Sequence, residues 1–268
     1  MKFSILMSVY SKENPEYLAQ SLQSLTDQTL KSNEVILVED GPLGPELKDV
    51  IESFRKKLNI TSVRLETNSG LAVALNEGLK HCTYELVARM DSDDVSLPHR
   101  FEKQVAFMVA NPEVVVSSAW IEERSVDMQS ALCVRSVPQS HEQIAAFAKS
   151  RSPISHPVVI YKKSAVLGVG GYPVIYPEDY LLWCLLISKG YTLRNIPEVL
   201  LQMRTGDDFI TRRGYNFLKG QIKIYWLMKK IEFIGWPIFI MNVASCSVVR
   251  LSPRFIKKQL YKHARGKL

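Results

Sequence analysis

Strand and helix patterns alternate four times in the first 110 residues of this 268-residue chain. Each strand pattern is a short apolar run, and each helix pattern repeats apolar residues at spacings of three and four. A near-continuous apolar run such as Val35–Val38 is typical of a strand that is buried on both faces of a sheet. The alternation therefore predicts an α/β fold with a parallel, doubly wound sheet. We expect strands at Phe3–Val9, Val35–Val38, Val63–Leu65 and Glu85–Met90, and helices from Asn14, over Glu46–Leu58, over Leu71–His81 and from Pro98 to Asn111.

Three of the predicted strands lead directly into polar groups, which are Ser8-Val9-Tyr10, Glu39-Asp40 and Asp91-Ser92-Asp93. Right-handed crossovers bring the loops that follow parallel strands to one edge of the sheet. Open α/β sheets bind their ligands at that edge. We therefore expect the three polar groups to converge on a single site.

Three carboxylates lie within four residues in the stretch Arg89-Met90-Asp91-Ser92-Asp93-Asp94. Like charges this close repel one another, so the pattern favours a positive partner among them. A divalent cation on a diphosphate is one such partner, because magnesium-like ions bind one or two carboxylates together with phosphate oxygens. The alternative is an acidic turn whose Asp and Ser side chains cap the next helix.

A second acidic pair lies in Pro177-Glu178-Asp179-Tyr180, ahead of the apolar helix predicted for Leu181–Ser188. Acidic residues in a first helical turn complement the helix dipole, which is a structural explanation of the pair. The functional explanation is that a carboxylate held on a rigid helix can accept a proton in fixed geometry. The residues alone leave both explanations open.

The chain between these acidic groups is less regular. The sequence predicts a strand at Val114–Ala119, one or two more within residues 121–137, and short helices at His141–Ala148 and Ser164–Val169. The stretch Gly170-Gly171-Tyr172 is predicted to be a flexible turn of the kind that lies close to a ligand.

Several protein classes are disfavoured by the sequence. It contains neither GxGxxG after the first strand nor GxxxxGK[ST], which disfavours the usual dinucleotide fold and the phosphate-loop NTPases. Its four cysteines are far apart, so a disulfide framework or zinc site is not expected and a reducing compartment fits better. The first ten residues indicate a strand rather than a signal peptide, and an ordinary membrane span is not expected.

Basic residues are concentrated towards the C-terminus. The net charge is +7, but residues 1–202 contain 20 Lys/Arg against 24 Asp/Glu, whereas residues 203–268 contain 14 against 3. Such asymmetry indicates an anionic partner surface, either lipid or nucleic acid. The neutral-to-acidic body of the chain argues against nucleic acid as the partner.

The basic region contains a helical pattern at Gly220–Ile231 and then an apolar stretch from Ile234 to Val249. The stretch is interrupted by polar residues and is too short to span a bilayer as an ordinary helix. Flanked by Lys and Arg, it suits a helix that lies in the interface of an anionic membrane, so residues 219–268 are expected to contact that surface. The alternative is a helical appendage packed on the domain, with a solvated basic end.

The ordered set of motifs resembles inverting family 2 glycosyltransferases, which have the Rossmann-like GT-A fold. The likeness covers roughly residues 1–205 and is greatest to transferases of bacterial O-antigen and exopolysaccharide assembly. The motifs that carry it are Ser8-Val9-Tyr10, Val38-Glu39-Asp40-Gly41, Asn68-Ser69-Gly70-Leu71, Ala88-Arg89-Met90-Asp91-Ser92-Asp93-Asp94, Ser155-His156-Pro157, Gly170-Gly171-Tyr172 and Pro177-Glu178-Asp179-Tyr180.

This resemblance implies a GT-A domain at residues 1–205, with a nucleotide-binding half (1–110) and an acceptor-binding half (111–205), followed by a basic helical tail (206–268). It implies a UDP-sugar donor whose uracil edge is hydrogen-bonded by Asp40. Asp93, together with Asp91, is expected to bind Mn²⁺ or Mg²⁺ on the diphosphate. The full set of residues expected to contact the donor is Ser8, Tyr10, Asp40, Asn68, Arg89, Asp91 and Arg204.

On the acceptor side, the resemblance implies that Asp179 is the catalytic base, with Glu178 beside it. The residues expected to border the acceptor are His156, Gly171, Tyr172 and Trp183. Residue type alone favours a different role for two of them, because a lone His is more often packed or capping and Trp183 is by default a core residue.

One motif departs from the family pattern. Many relatives carry Arg-x-His after the last strand of the domain, whereas this chain has Met203-Arg204-Thr205-Gly206-Asp207-Asp208, with no His after Arg204. The third protein contact to the metal is therefore left open. Asp207 and Asp208 are candidates for it, and Arg212-Arg213 is a candidate for a phosphate contact.

The expected function is an inverting transfer of a hexose, glucose or galactose, from a UDP-sugar to a hydroxyl of a lipid-linked saccharide of the GlcNAc-diphosphate-undecaprenol type. Such an enzyme is expected in the cytoplasm, peripheral on the inner face of the cytoplasmic membrane. The alternatives are a sugar nucleotidyltransferase and a non-enzymatic basic binding module. Ser11-Lys12-Glu13-Asn14 stands where a nucleotidyltransferase normally has a glycine- and basic-rich loop, which argues against that class.

Overall fold

The computed structural model describes residues 1–206 and 215–251, which form nine strands, nine α-helices and one 3₁₀ helix at His156–Val158. The strands are β1 (Phe3–Tyr10), β2 (Glu34–Asp40), β3 (Ile60–Arg64), β4 (Leu86–Asp91), β5 (Val95–Ser96), β6 (Val114–Arg124), β7 (Ala131–Arg135), β8 (Ile160–Lys162) and β9 (Thr192–Arg204). The helices are α1 (Pro15–Thr26), α2 (Pro45–Leu58), α3 (Leu71–His81), α4 (Arg100–Ala110), α5 (His141–Ala148), α6 (Lys163–Gly168), α7 (Glu178–Ser188), α8 (Tyr215–Lys230) and α9 (Trp236–Leu251).

All nine strands belong to one sheet, in the order β3-β2-β1-β4-β8-β6-β9-β5, with β7 paired to β6. The first four strands of this order are parallel, and so are β6 and β9. The short strand β8 runs antiparallel to both of its neighbours, β4 and β6. The sheet is thus mixed but mainly parallel, which confirms the fold class predicted from the alternation of strands and helices.

Helices cover both faces of the sheet, as the buried-strand patterns predict. In β2, Val35 and Leu37 point into a core with α1, α2 and α4, whereas Ile36 and Val38 point into a second core with α3, α6 and α7. Because successive side chains of a strand face opposite ways, a strand covered on both faces needs a continuous apolar run.

The less regular middle of the chain forms a hairpin and four short elements, which are α5, the 3₁₀ helix, β8 and α6. The predicted strand at Val114–Ala119 continues to Arg124 as β6, and β7 pairs with it antiparallel. β9 runs parallel to β6 and ends at Arg204. One sheet therefore contains strands from both predicted halves of the domain, and the division at residue 110 stays a prediction about function.

Helices α8 and α9 pack on the domain through a third core, which they share with α5 and α7. Tyr225 donates its hydroxyl to the Ser150 carbonyl at 3.3 Å, and the Asn242 side chain donates to the Lys149 carbonyl at 2.7 Å. The inner side of the tail therefore matches the packed-appendage interpretation. Across residues 1–206 and 215–251, no helix has both the length and the apolar character needed to cross a membrane.

Candidate active site

The register of the parallel strands brings the predicted polar groups together. Ser8 of β1 lies opposite Val38 of β2 on one side and Asp91 of β4 on the other. Tyr10 lies opposite Asp40. The convergence predicted for the ends of β1, β2 and β4 is therefore confirmed.

Asp40 is a buried carboxylate that holds the start of α3. Its two oxygens accept hydrogen bonds from the backbone N–H groups of Ser69, at 2.7 Å, and Gly70, at 3.0 Å. Gly70 has a φ of +87°, a conformation that favours glycine. The exposed Asn68 side chain donates to the Asp40 carbonyl at 3.4 Å. A carboxylate has about four acceptor sites, so Asp40 can still accept a hydrogen bond from the edge of a nucleobase.

Arg89 is 3 % exposed and forms a two-pronged ion pair with Asp91. Its Nη1 donates to Asp91 Oδ2 at 2.7 Å, and its Nη2 donates to Asp91 Oδ1. Burial alone would lower the pKa of Arg89, but the nearby carboxylates, with Asp91 first, raise it. Arg89 is therefore a fixed cation at the end of β4.

Asp91, Asp93 and Asp94, here called the aspartate cluster, fit a divalent cation. One carboxylate oxygen from each lies within 4.8 Å of the others. Burial, followed by repulsion from Asp91 and Glu13, raises the pKa of Asp93 to about 7. The pKa of the buried Asp94 is raised well above its ordinary value, and its Oδ2 lacks a hydrogen-bond partner among the described residues. Grouped carboxylates whose ionised forms are disfavoured by mutual repulsion are the donor set that a hard cation relieves.

Glu13 is a fourth carboxylate at this cluster, and no sequence motif points to it. Its Oε2 accepts a hydrogen bond from the Ser92 hydroxyl, and its charge contributes to the raised pKa of Asp93. Glu13 stands in the loop after β1 with no acidic neighbour, so no local pattern distinguishes it from a surface residue. The third metal contact sought at Asp207 and Asp208 lies outside the described residues, as does Arg212-Arg213.

Arg204 ties the end of β9 to this loop. Its backbone N–H donates to Asp94 Oδ1 at 2.9 Å, and its Nε donates to the Asp93 carbonyl at 3.0 Å. The two other guanidinium nitrogens donate to the Val126 carbonyl and to the Gln20 side chain. Every guanidinium nitrogen of Arg204 thus has a protein acceptor in this structure, and its contact with a diphosphate stays a prediction.

The acid pair, Glu178 and Asp179, opens α7 as the sequence predicts. Burial first, and then the neighbouring Asp179, raises the pKa of Glu178 to about 7. Burial also raises the pKa of Asp179, although the hydroxyl of Ser152, which donates to its Oδ2 at 3.1 Å, favours the ionised form. Two neighbouring carboxyl groups with raised pKa values, that of Glu178 at about 7, can hold or accept a proton under physiological conditions.

Residues predicted to border an acceptor lie next to the acid pair. His156 Nδ1 is 3.6 Å from Glu178 Oε1, and its Nε2 is 3.3 Å from the Tyr172 hydroxyl. Burial lowers the pKa of His156 well below its ordinary value, so the imidazole is neutral near pH 7. Trp183 is fully buried, as expected of a core residue. Within the described part of the chain its indole nitrogen makes no hydrogen bond of ordinary geometry, yet it lies close enough to Asp179 to favour the ionised carboxylate.

The loop before the acid pair is held by Asn76 of α3, a residue that the sequence analysis missed. Its side chain accepts from the Tyr172 N–H at 2.7 Å and donates to the Tyr172 carbonyl at 2.8 Å. A Cβ on Gly171, whose φ is +79°, would lie 2.4 Å from the side-chain oxygen Oδ1 of Asn76. Gly171 is therefore required for the close approach of α3, and its contact with an acceptor stays a prediction.

Arg89 links the two acidic groups electrostatically. Its charge lowers the pKa values of both Glu178 and Asp179, while Asp91 raises that of Glu178. The acid pair therefore lies within electrostatic range of Arg89 at the end of β4, and this one cation acts on both acidic groups. The site joins carboxylates suited to a metal with carboxylates suited to proton transfer.

A family model described as Glycosyl transferase family 2 matches residues 4–166 of this chain. The chain belongs to glycosyl transferase family 2. This membership confirms the resemblance and the enzyme class inferred from the motifs. It also excludes the nucleotidyltransferase and the non-enzymatic module that were kept as alternatives.

Relatives of this glycosyltransferase cover almost its whole length. The amylovoran biosynthesis glycosyltransferase AmsE of Erwinia amylovora is 39 % identical over 98 % of this chain and 99 % of its own. A UDP-Gal:α-D-GlcNAc-diphosphoundecaprenol β-1,3-galactosyltransferase of Escherichia coli is 38 % identical over 97 % of this chain and 95 % of its own. These relatives support the expected likeness to exopolysaccharide and O-antigen enzymes.

Solved glycosyltransferases share the fold. TarS residues 1–349 of S. aureus, in complex with UDP-GlcNAc, superposes with a TM-score of 0.69 at 21 % identity, over 92 % of this chain and 73 % of that one. The mannosyltransferase PcManGT of Pyrobaculum calidifontis, in complex with GDP-Man and Mn²⁺, superposes with a TM-score of 0.65 at 16 % identity, over 92 % of this chain and 70 % of that one. At these identities the likeness supports the GT-A fold.

Proposed function

We propose that this glycosyltransferase moves a hexose from a UDP-sugar to a hydroxyl of a lipid-linked saccharide, with inversion at the anomeric carbon. The observation that carries the proposal is the pairing of two acidic groups at one sheet edge, with Arg89 acting on both. The aspartate cluster serves the donor diphosphate, and the acid pair serves the acceptor. The division matches the two tasks of the reaction, which are leaving-group stabilisation and proton removal.

In the proposed reaction, Asp179 takes the proton from the acceptor hydroxyl as its oxygen attacks the anomeric carbon. The bond between that carbon and the diphosphate oxygen breaks on the opposite face, so the configuration inverts and UDP leaves with the bonding electron pair. Asp179 is the preferred base because Ser152 fixes one of its oxygens at 3.1 Å, which leaves the other available. Glu178 lies beside both the base and neutral His156, with one ligand atom of each within 4.8 Å of the others, and its raised pKa lets it share the proton.

A divalent metal, Mn²⁺ or Mg²⁺, would be held by Asp93 and Asp91 and would neutralise the charge that develops on the departing diphosphate. Asp93 is suited to this role because its carboxylate lies among like charges that raise its pKa. Asp91 would share its carboxylate between the metal and Arg89. Arg89 in turn holds Asp91 in a fixed orientation towards the donor.

The relatives support the choice of substrates. One relative is by name a galactosyltransferase that acts on GlcNAc-diphosphoundecaprenol, and another belongs to amylovoran biosynthesis. We propose UDP-galactose or UDP-glucose as donor and a GlcNAc-diphosphate-lipid as acceptor. The enzyme would work as a peripheral protein on the inner face of the cytoplasmic membrane, where such an acceptor is presented.

The test is turnover with Mn²⁺, a panel of UDP-sugars and a GlcNAc-diphosphate carrying a short lipid tail, measured as UDP release and as product. NMR of the product would report the anomeric configuration. We expect Asp179→Asn to lower the rate by about 10²–10⁴-fold, as removal of a general base does. The matched control is Asp49→Asn, which changes an exposed aspartate on α2.

Three results would overturn the mechanism. They are no turnover with any UDP-sugar, a product that retains the donor's configuration, and full turnover by Asp179→Asn. Turnover lost equally in Asp49→Asn would show that the assay reports stability rather than chemistry.

A further inference from the structure

The outer side of α8 and α9 exposes large apolar side chains. Trp226 is 50 % exposed, Trp236 54 %, Ile240 61 % and Met241 56 %. Together with the half-buried Phe239 they form what is here called the lipid face. Contiguous exposed apolar surface of this kind marks a site of interaction rather than a solvated surface.

Helix α9 is apolar on both of its sides. Its inner side packs in the third core through residues such as Val243 and Cys246. Its outer side carries Ile240, Met241 and Ala244, which are exposed and recur at helical spacing. A helix with apolar residues on opposite sides is normally covered on both, yet the described part of the domain covers only one side of α9.

Aromatic rings form the centre of the lipid face. The ring centroids of Trp226 and Trp236 are 6.2 Å apart, and Phe239 lies 6.0 Å from the first and 5.7 Å from the second. The ammonium group of Lys229 lies 5.3 Å from the centre of the Trp236 ring. Tryptophan combines an apolar ring with a polar N–H, which is why it concentrates at the boundary between lipid and water.

Positive charge lies beside this aromatic centre, on α8. Lys223 and Lys230 are exposed on α8 on either side of Trp226, at helical spacing from it. Glu232 is the one acidic residue between residues 215 and 251. Exposed apolar side chains with lysines beside them match the chemistry of an anionic bilayer, in which acyl chains lie beneath negative headgroups.

We propose that the lipid face, with Lys223 and Lys230 beside it, binds the surface of an anionic phospholipid bilayer. The proposal deepens the proposed function and rests on it for its purpose, because a lipid-linked acceptor lies in that surface. A second copy of the chain fits less well, since a two-fold contact through this face would bring the same lysines against each other.

The lipid face is connected to the acid pair through packing. α8 and α9 share the third core with α7, the helix that begins at Glu178. At Gly220, α8 comes so close to the loop before α7 that a Cβ would lie 1.6 Å from the Tyr176 carbonyl oxygen. Docking of this face would therefore hold the acid pair at a fixed height above the bilayer.

The experiment is sedimentation of the full chain with vesicles of phosphatidylglycerol and phosphatidylethanolamine, compared with phosphatidylcholine vesicles. We expect binding to the anionic vesicles that weakens with salt. Ile240→Glu/Met241→Glu should weaken it by about 100-fold, and Lys223→Gln/Lys230→Gln by about 30-fold. The matched controls change exposed residues elsewhere, Val109→Glu/Leu167→Glu for apolar side chains and Lys48→Gln/Lys56→Gln for charge, and should bind like wild type.

Thermal melting and turnover on the short-tailed acceptor would show that the variants fold, and would separate this inference from the proposed chemistry. Wild type that stays in the supernatant with anionic vesicles would overturn the inference. So would equal binding by Ile240→Glu/Met241→Glu. A wild-type dimer in the absence of lipid that this variant converts to monomer, with vesicle binding unchanged, would assign the face to a second copy instead.

Discussion

Helix α8 meets the domain at Gly220, where the structure leaves no room for a side chain. A Cβ built on Gly220 would lie 1.6 Å from the Tyr176 carbonyl oxygen and 2.8 Å from its carbonyl carbon. Real Cβ atoms do not approach other atoms this closely, and the obstacle is backbone, so no change of rotamer relieves the contact. Gly220→Ala therefore requires α8 to move away from the loop that leads into Glu178.

The size of the effect follows from two opposing contributions. In an unobstructed helix, replacing Gly by Ala stabilises by about 1 kcal/mol. Overpacking of a rigid contact costs about 1–3 kcal/mol, and occasionally more. Because this contact is with backbone, we expect the upper part of that range, a net loss of about 2 kcal/mol. For a chain of this size that corresponds to a fall in Tm of about 4–8 °C.

The assay is thermal unfolding by circular dichroism, beside turnover and UDP affinity. The matched control is Gly168→Ala, another helical glycine, whose Cβ would meet only the hydroxyl end of Tyr191 at 3.3 Å. We expect its Tm to change by no more than about 4 °C, because the largest gain from this replacement is about 1 kcal/mol. Turnover should fall in Gly220→Ala while UDP affinity is unchanged, because the displaced loop serves the acid pair. An increase in Tm for Gly220→Ala would refute the docking of α8 described above.

Three further predictions concern the site. In a pH–rate profile measured at low acceptor concentration, the rate should fall about tenfold per pH unit below about pH 7. The reason is that the pKa of Glu178 is raised to about 7 and the acid pair must be ionised to accept a proton. Asp93→Asn should raise the Tm of the metal-free protein, since it removes a repelled carboxylate, and should abolish the shift in Tm on adding Mn²⁺. Asn76→Ala should raise KM for the acceptor about tenfold or more, with UDP affinity unchanged, because it frees the backbone of Tyr172.

Each of these has a contrary outcome. A rate that stays constant down to pH 5 would show that the acid pair is not the base. If Asp93→Asn retained the shift in Tm on adding Mn²⁺, the metal would bind elsewhere. The control is Asp127→Asn, which changes an exposed aspartate. An effect of Asn76→Ala on UDP affinity alone would assign α3 to donor binding.

The raised pKa of Glu178 also sets the sign of a stability effect. Between its ordinary value of 4.5 and about 7, the folded protein binds a proton that the unfolded chain has lost. Stability from this group is therefore fully present below about pH 4.5 and is lost as the pH rises through about 7. Between pH 4.5 and about 7, activity rises while this contribution to stability falls. This is expected where function requires a carboxylate to be ionised in a site that disfavours its charge.

The parts of the site that could be predicted are those fixed by local pattern and sheet geometry. Apolar periodicity places Asp91 and Ser8 at strand ends, and parallel pairing then requires them to be neighbours. The acid pair is likewise marked by its position before an apolar helix. Neither inference needs knowledge of which distant residues pack together.

The parts that could not be predicted depend on partners far away in the chain. The backbone N–H groups of Ser69 and Gly70 at the start of α3 donate to Asp40, about 30 residues earlier. Asn76 looks like an ordinary helical residue, and its role depends on residue 172. Single-sequence patterns report the conformation of a segment, whereas such contacts are decided by tertiary packing.

The contact between Arg204 and the aspartate cluster has a consequence for how the site forms. Asp94 receives its backbone hydrogen bond from a residue 110 positions later, and β5 is held in the sheet by β9. A chain ending at residue 110 would contain every aspartate of the cluster but not the strand that shapes their loop. The contacts of this loop are therefore complete only once β9 has joined the sheet, and such a distant pairing requires the closure of a long segment. Exchanging the first 110 residues between relatives would transfer the ligands without the scaffold that positions them.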